Sequence, residues 1–470
     1  MKKPFLIAFT ALILAISMVP AAALLLGYEA ENRENRPLAR FPALFERGKL
    51  NLSFPEGFDS YFEDHFGFRE EMVSAFHGIT MSLLQDTQNE KVIVGKNHML
   101  FYQETLHDYM GLDLLTDEEI ARIAACLRIE KEYCESLGIG FTFAVAPNKN
   151  SIYGENMPDR LVPTHEESNR ARLYEALEKE GVDTVDFASL LLTHKEDGQL
   201  YHDRDTHWNE RGALIAYNAI MERVAKGAAY ETYASLSPTT RYDDAGDLHN
   251  FVLPALSGSR PRPDYGIRED FAYDEGVRPA QDTTFGTVSG KNSLSLHLFR
   301  DSFGNALLPL LSTNLGRVKY SAEFPYNYTL LDEETPDAVF IELVERNIKN
   351  LLLSAPMMPA LETEAPSPVS EGGSAKYTAF KSGGYMKVQG CFDAAVQPQR
   401  IFLTLEKEGE SRSYEAFPIL EEQAQKLTGG MDSPRGFSLT LPEGLSGEYA
   451  LTLHADGISY ALAPLPVAEE

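Results

Sequence analysis

The chain has 470 residues, of which 43% are hydrophobic and 10% aromatic, so it can form two or three domains with packed cores. Its formal net charge of -28 opposes the approach of a phosphate backbone, and no basic cluster offsets it, so nucleic acid is not expected as a partner. Cys126, Cys134 and Cys391 are too few for a disulfide scaffold. We expect them to be buried apolar residues, and we expect neither a metal site nor a cofactor.

The first 27 residues predict a segment that enters a membrane. Lys2 and Lys3 precede an uncharged, mostly apolar run that ends at Gly27. About 20 apolar residues span a bilayer as a helix, and the lysines favour a cytoplasmic N-terminus. Residues 1–27 are therefore either a signal anchor or a signal peptide that is cleaved. In both cases the remainder is expected on the extracytoplasmic face of the cell membrane, or secreted after cleavage.

Residues 28–354 alternate predicted helices with predicted strands. A helix over 117–138 is followed by a strand over 139–147, and a strand over 292–300 leads directly into a helix. This alternation predicts an α/β domain, with a parallel sheet that carries helices on both faces. Near 228–291 the alternation lapses. That segment is interpreted either as a functional loop or lid, or as a poorly ordered excursion.

The remaining third of the sequence predicts a second domain of a different class. Residues 355–375 have the composition of a linker. Residues 376–470 contain several short alternating segments at turn-like spacing, which predict a β-sandwich. This domain either binds carbohydrate, through tyrosines such as Tyr385 or Tyr414, or is a scaffold.

The stretch YHDRDTHWNERGA, residues 201–213, contains an Asp-x-His pair just before a predicted helix. In an extended segment, Asp205 and His207 project to the same side, so the carboxylate can orient the imidazole as a general base. The same pair can also be a structural ion pair. Asn209 is placed to cap the helix that follows.

A nucleophile is available where the strand over 292–300 ends. Ser302 follows it in FRDSFGN, and a serine between a strand and a helix is exposed at the carboxyl edge of a parallel sheet. The free N-H groups of that helix are candidate oxyanion donors. Alternatively, Ser302 caps the helix, a task that Asp301 can share.

At this point the chain resembles the DHHW family, which is related to the alginate O-acetyltransferase proteins of the AlgX and AlgJ type with an SGNH-hydrolase-like domain. The resemblance covers roughly residues 30–350 and depends on the order of these motifs: ENRPLARFP, YFEDHFGFR, VIVGKNHMLFY, VAPNKNSIYGENMP, YHDRDTHWN, FRDSFGN and PDAVFIELVERN. It implies a catalytic triad of Asp205 as acid, His207 as base and Ser302 as nucleophile. It also implies a membrane-bound O-acyltransferase as the partner that donates the acetyl group. The chain departs from the family at Thr206 and at Arg300, the residue before Asp301-Ser302.

Four further residues are candidates for substrate binding or for an oxyanion hole. Asn148 follows the first strand of the predicted sheet, and Arg346 follows the last one; each is interpreted equally as a structural residue. Arg300 precedes the proposed nucleophile and can alter the approach to it. Trp208, the only tryptophan, either packs beside His207 or stacks against a sugar ring.

Three functions remain open from the sequence. The first is an O-acetyltransferase that acetylates a cell-surface polysaccharide through an acyl-serine intermediate. The second is a carbohydrate acetyl esterase with the same triad, since residue identity does not show how well the acyl-enzyme excludes water. The third is a non-catalytic envelope protein that binds glycan.

Overall fold

The computed structural model describes residues 3–26, 38–165, 167–256, 258–278, 281–332, 334–365 and 367–467. The first four residues of the motif ENRPLARFP therefore lie outside the described residues. The α-helices in these ranges are α1 Lys3–Leu25, α2 Phe54–His65, α3 Arg69–Leu84, α4 Leu106–Met110, α5 Asp117–Ser136, α6 Lys149–Ile152, α7 Asn169–Lys179, α8 Phe187–Thr193, α9 Glu210–Val224, α10 Asp247–Val252, α11 Leu308–Asn314 and α12 Glu422–Gln425. Short 3-10 helices cover, among others, Ser302–Ala306 and Glu345–Leu352.

The strands of the N-terminal two thirds are β1 Phe45–Glu46, β2 Lys49–Leu50, β3 Val92–Val94, β4 Leu100–Tyr102, β5 Gly140–Ala146, β6 Thr184–Val185, β7 Thr239–Asp244, β8 Ser259–Asp264, β9 Ala272–Tyr273, β10 Thr284–Val288, β11 Ser295–Phe299, β12 Arg317–Ser321 and β13 Ala338–Val344. The C-terminal strands are β14 Glu362–Thr363, β15 Ser370–Glu371, β16 Ala375–Ser382, β17 Tyr385–Asp393, β18 Ile401–Lys407, β19 Glu410–Glu415, β20 Pro434–Leu441, β21 Gly447–Ala455 and β22 Ile458–Val467.

Helix α1 is long and apolar enough to cross a membrane. It is the only such helix among the residues that the structure describes. Length and composition alone do not separate a membrane anchor from a signal sequence, so both interpretations of residues 1–27 stay predictions.

A seven-stranded sheet forms the centre of the first domain, in the order β6-β5-β13-β11-β12-β10-β9. The first five strands of that order are parallel, as predicted, but β10 and β9 are antiparallel to their neighbours. The sheet is therefore mixed. Residues 289–294, between β10 and β11, are fewer than the dozen or so that a parallel crossover needs, so β10 must run in the opposite direction.

Helices cover both faces of this sheet, which confirms the predicted α/β class. One apolar core joins alternate sheet residues such as Leu298 and Phe340 to residues of α8, α9 and α11. The other core joins the intervening residues, such as Val339 and Ile341, to α5 and α7. Alternate side chains of a strand point to opposite faces, so a strand buried on both sides is apolar throughout, as β13 is except for Glu342.

The C-terminal region forms two sheets that share one core, as predicted for a sandwich. A six-stranded sheet has the order β14-β19-β18-β21-β22-β15, and a three-stranded sheet has the order β16-β17-β20. Val388 and Phe437 of the smaller sheet pack with Leu403 and Leu453 of the larger one. Tyr414 is 1% exposed, so it presents no ring to a carbohydrate, and its suggestion as a binding residue was wrong.

The segment predicted as a linker is partly packed. Ala355 and Met358 belong to a core of the first domain, and Ala360 belongs to the core of the sandwich. Arg128 on α5 also donates to Glu415 on β19 at 2.5 Å, with both side chains largely buried. The two domains are thus joined by apolar and ionic contacts as well as by the chain itself.

Candidate active site

Asp205 and His207 lie in the loop that leads into α9. Asn209 caps this helix by accepting hydrogen bonds from the N-H groups of Arg211 and Gly212, as predicted. The loop places the Asp205 carboxylate 2.7 Å from Nδ1 of His207 and 2.9 Å from the His207 backbone nitrogen. Because an ionised carboxylate can only accept, Nδ1 carries the proton and Nε2 is left as an acceptor.

Ser302 meets that acceptor from the other side of the site. It follows β11 at the carboxyl end of the central sheet, and its Oγ lies 2.8 Å from Nε2 of His207. The structure therefore brings together the three side chains that were predicted as a triad, in the relative order carboxylate, imidazole and hydroxyl. A hydroxyl in this position can lose its proton to the imidazole as it attacks a carbonyl carbon.

Asp301, not Ser302, caps the 3-10 helix at the end of β11. One carboxylate oxygen accepts from the N-H of Phe303 at 2.9 Å, and the other accepts from the N-H of Val344 at 2.6 Å. The fully buried Glu342 accepts from the N-H of Asp301 at 3.2 Å. Burial, and then the charge of Asp301, raise the pKa of Glu342 well above its usual range. Ser302 is thus relieved of capping and is free to face His207.

The capping also limits the oxyanion hole expected at this helix. The N-H of Phe303 is bound by Asp301, and the N-H of Gly304 donates to the Asp301 carbonyl at 3.2 Å. The N-H of Ser302 itself has no acceptor within the part of the chain that the structure describes. Of the helix N-H groups that were predicted as oxyanion donors, those of Phe303 and Gly304 are therefore already bound, and that of Ser302 is available.

The charges around His207 raise the pKa of its imidazole. Burial alone would lower the pKa of His207, but the hydrogen bond and charge of Asp205 outweigh burial and raise it above 6.5. Burial alone would raise the pKa of Asp205, but the contacts with His207 and with the N-H of Asp247 hold it well below its usual range. Asp205 therefore stays ionised while His207 exchanges a proton.

Comparison with known families identifies proteins that this domain resembles. Residues 92–314 match the family described as "SGNH hydrolase-like domain, acetyltransferase AlgX". This part of the chain is similar to the SGNH hydrolase-like domain of the AlgX type. The match covers all three triad positions and confirms the resemblance that the sequence motifs predicted.

Individual relatives are distant. A protein of Pseudomonas syringae pv. tomato, described as a probable alginate O-acetylase, AlgJ, is 22% identical over 335 residues, which are 70% of this chain and 78% of that protein. The O-acetyltransferase domain of Pseudomonas putida AlgJ is 20% identical, with 55% of this chain and 92% of that domain covered and a TM-score of 0.36. A DHHW family protein from Eubacterium siraeum is 17% identical, with 55% and 96% covered and a TM-score of 0.39.

In this domain Trp208 is a packing residue. It is 1% exposed, its indole N-H donates to the carbonyl of Phe303 at 3.1 Å, and its ring meets the edges of Phe187 and Phe303. The same Phe303 ring packs against His207. A ring buried in this way has no free face for a sugar, so stacking on substrate, one of the two predicted roles, does not fit the structure.

Of the other predicted candidates, only Arg346 lies beside the triad. Its guanidinium carbon is 5.7 Å from the ring centres of both Tyr102 and Phe303, and its charge opposes protonation of His207. Within the described residues it forms neither an ion pair nor a hydrogen bond. A half-buried, unpaired cation at this place can contact an anionic group of a substrate or a developing oxyanion.

Arg300 and Asn148 are already engaged elsewhere. The guanidinium of Arg300 donates to Asn305 at 2.7 Å and to the carbonyl of Asp301 at 3.1 Å, which folds it back along the 3-10 helix. The amide of Asn148 donates to Asp108 at 3.2 Å behind the carboxyl end of β5. Neither residue forms a hydrogen bond with Ser302 or His207 in the described parts of the chain, so their predicted substrate roles gain no support.

Sequence reasoning missed the role of Lys149. Its buried ammonium donates to the carbonyl oxygens of His202, Asp203 and Asp205, at 3.0, 3.2 and 2.7 Å. These three bonds fix the backbone of the loop that carries the triad carboxylate. Burial lowers the pKa of Lys149 to about 7, although the nearby acids, Asp205 first, oppose that shift.

Asp247 was also missed, because it lies in the insertion near 228–291. Its carboxylate accepts from the backbone N-H of Thr206 at 2.8 Å and from the Thr206 hydroxyl at 2.5 Å, while its own N-H donates to Asp205 at 3.1 Å. The insertion therefore contains the antiparallel strands β7 and β8 with α10 between them in the chain, and α10 supports the triad loop. Ligand atoms of Asp205, His207 and Asp247 lie within 4.8 Å of one another, but Ser302 and Asp205 already occupy both His207 nitrogens.

The pH dependence of the reaction should depend on the charge of Asp247. Its carboxylate lies 3.8 Å from Nδ1 of His207 and helps to raise the pKa of that imidazole. A general base works when neutral, so activity should rise as pH passes through this pKa. We expect Asp247→Asn to move the rising limb of the kcat/KM profile to lower pH, by a few tenths of a unit to about one unit.

Asp264→Asn is the matched control for this prediction. It removes the same charge from the same insertion, but Asp264 is not among the groups that shift His207. Its profile should therefore overlay that of the native protein. An Asp247→Asn profile that is unchanged, or that moves to higher pH, would contradict the assigned electrostatic role.

Proposed function

We propose that this protein is an extracytoplasmic, serine-dependent O-acetyltransferase that modifies a cell-surface polysaccharide. The observation that carries the proposal is the unbroken hydrogen-bonded chain from Asp205 through His207 to Ser302, at 2.7 and 2.8 Å, in a domain of the acetyltransferase AlgX type. The AlgJ relatives are described as alginate O-acetylases, which supports a polysaccharide as the acceptor.

The first half of the proposed reaction loads the serine. Oγ of Ser302 attacks the carbonyl carbon of the acetyl donor while Nε2 of His207 takes the hydroxyl proton. The carbon-oxygen bond to Ser302 forms, the bond to the leaving group breaks, and His207 returns the proton to the leaving group. Asp205 stabilises the transient imidazolium and keeps the ring oriented.

The second half transfers the acetyl group to the glycan. His207 deprotonates a sugar hydroxyl, whose oxygen attacks the acyl-serine, and the proton finally returns to Oγ of Ser302. Arg346 is the group that we propose contacts an acidic sugar or the carbonyl oxygen as it gains negative charge. A membrane-bound O-acyltransferase is the proposed acetyl donor, since the resemblance implies it and helix α1 would hold the enzyme at the membrane.

The test is to supply the full chain with an activated acetyl ester, with and without alginate oligosaccharides, and to quantify acetylated glycan and free acetate. We expect acetylated glycan to form faster than acetate is released. Acetate as the sole product would favour the esterase. Glycan binding without turnover of the ester would favour the non-catalytic envelope protein.

A further inference from the structure

Helix α3 presents its apolar residues to solvent. Phe68, at the N-cap, and Met72, Phe76, Ile79 and Leu83 within the helix are 37%, 37%, 50%, 59% and 77% exposed, respectively. Their spacing of three or four residues places them in one stripe along the helix. Soluble proteins rarely leave such a stripe open to water, and a continuous exposed apolar patch marks a site of contact with a protein or a membrane.

The opposite face of α3 is polar and buried, so the helix cannot simply be turned over. Its buried residues are Glu70, Ser74, His77 and Thr80. The hydroxyl of Ser74 accepts from the N-H of Ala255 at 2.9 Å, beyond the end of α10, and His77 bonds to the carbonyl of Thr87. These contacts hold the apolar stripe outward in a fixed orientation.

Helix α2, which precedes α3 in the chain, carries further exposed apolar residues. No residue of α2 is buried, and its rings form a stacked series in which Phe54, Phe58 and Phe62 follow one another at centroid distances of 6.1 and 6.4 Å. Phe58 is 39% and Phe62 36% exposed. We call Phe58 and Phe62 of α2, together with the five stripe residues of α3, the apolar platform.

The turn between α2 and α3 contacts the end of the apolar helix α1. The N-H of Gly67 donates to the carbonyl of Pro20 at 3.2 Å, and a Cβ at Gly67 would lie 2.2 Å from Cβ of Ala23. This part of α1 is the end that would emerge from the outer surface of the bilayer if Lys3 lies on the cytoplasmic side. The platform therefore begins where the predicted anchor ends.

We propose that the apolar platform lies in the interface of the lipid bilayer and holds the domain flat on the extracytoplasmic membrane surface. This inference depends on α1 being the anchor in the proposed function. Phenylalanine-rich helical faces insert to a depth of about 5–10 Å at the boundary of headgroups and acyl chains. The net charge of -28 gives no attraction to anionic lipids, so apolar burial supplies the contact.

The platform would also place the triad close to the membrane. Helix α3 packs on α10, and α10 begins at Asp247, which supports Thr206 and Asp205. Helix α10 therefore connects the catalytic loop to α3. This connection suits an acetyl group that a membrane protein delivers.

Tryptophan fluorescence in reconstituted full chain tests the platform. The only native tryptophan, Trp208, is buried, so a tryptophan placed at Phe76 reports its own surroundings against a constant background. The vesicles are phosphatidylcholine with or without brominated acyl chains, which quench by contact. We expect Phe76→Trp emission to fall roughly twofold or more in brominated vesicles. Ile79→Trp should repeat the result one turn along the stripe.

Two further variants set the limits of this test. Val396→Trp, in an exposed loop of the sandwich, should not be quenched by brominated lipid, and Leu12→Trp reports whether α1 itself is in the bilayer. Quenching at Leu12 without quenching at Phe76 and Ile79 would overturn the proposal. Protection of Phe76→Trp from both lipid and aqueous acrylamide would also overturn it, because a protein would then cover the platform. Neither readout requires acetyl transfer, so failure here is separate from failure of the proposed chemistry.

Discussion

Replacing His207 by glutamine is expected to lower the rate of acetyl transfer by roughly 10³- to 10⁶-fold, with the fold unchanged. Glutamine can still accept from Ser302, but it cannot take up and return a proton. Ser302→Ala should lose activity to a similar extent, because it removes the group that becomes acylated. Initial rates with an activated acetyl ester and alginate oligosaccharides measure both effects.

The double variant gives the sharper comparison. If His207 and Ser302 act as one unit, then the combined substitution should be no slower than either single one, since losses within a triad are not additive. His194→Gln changes an exposed histidine at the end of α8 and should retain native activity. Multiplicative losses in the double variant, or substantial activity in His207→Gln, would contradict the assigned roles.

Replacing Lys149 by methionine is expected to destabilise the protein and to slow the reaction. The carbonyl oxygens of His202 and Asp205 would lose their donor, whereas that of Asp203 would still accept from the N-H of Leu100 at 2.8 Å. An unsatisfied buried polar group costs about 1–3 kcal/mol, so we expect the free energy of unfolding to fall by roughly 2 kcal/mol or more. If Asp205 shifts by about 1 Å, then kcat should fall on the order of 100-fold. Urea unfolding and single-turnover kinetics measure the two effects.

Lys195→Met is the matched control for Lys149. Lys195 also donates to a backbone carbonyl, that of Ile152 at 2.6 Å, but its second partner is the exposed Glu155. Water can replace both contacts, so its loss should cost about 1 kcal/mol or less and leave kcat unchanged. Equal effects of the two substitutions would show that the ammonium of Lys149 does not position the triad loop.

Much of the fold was accessible from sequence periodicity. Strands β5, β11 and β13 are mostly apolar and are followed by Pro147, Arg300 and Glu345. Helix α5 begins at a capping box formed by Thr116 and Glu119. The antiparallel strand β10 was missed because it lies in the segment near 228–291, which was interpreted as a functional loop or lid, or as a poorly ordered excursion. Strands β14 and β15 lie in the segment that was assigned to the linker, and each has only two residues, so no sequence pattern appears.

The triad could be predicted because Asp205 and His207 are close in sequence and Ser302 follows a strand that the sequence pattern predicts. The supporting residues had no comparable signal. Asp247 comes from an insertion without regular periodicity. Every residue has a backbone carbonyl, so the sequence does not show which three of them Lys149 binds. Trp208 and Arg346 illustrate a further limit: both carried the same candidate role, and only burial distinguishes the packed indole from the unpaired guanidinium.

Acyl-enzyme trapping tests the central claim most directly. The full chain is incubated with an activated acetyl ester, quenched and digested, and the peptides are analysed by mass spectrometry beside Ser302→Ala and Ser411→Ala, the latter an exposed serine of the sandwich. The account predicts one acetyl adduct on Ser302, absent in Ser302→Ala, retained in Ser411→Ala and discharged faster by glycan than by water. Absence of any adduct from the native chain, or an equal adduct in Ser302→Ala, would contradict it.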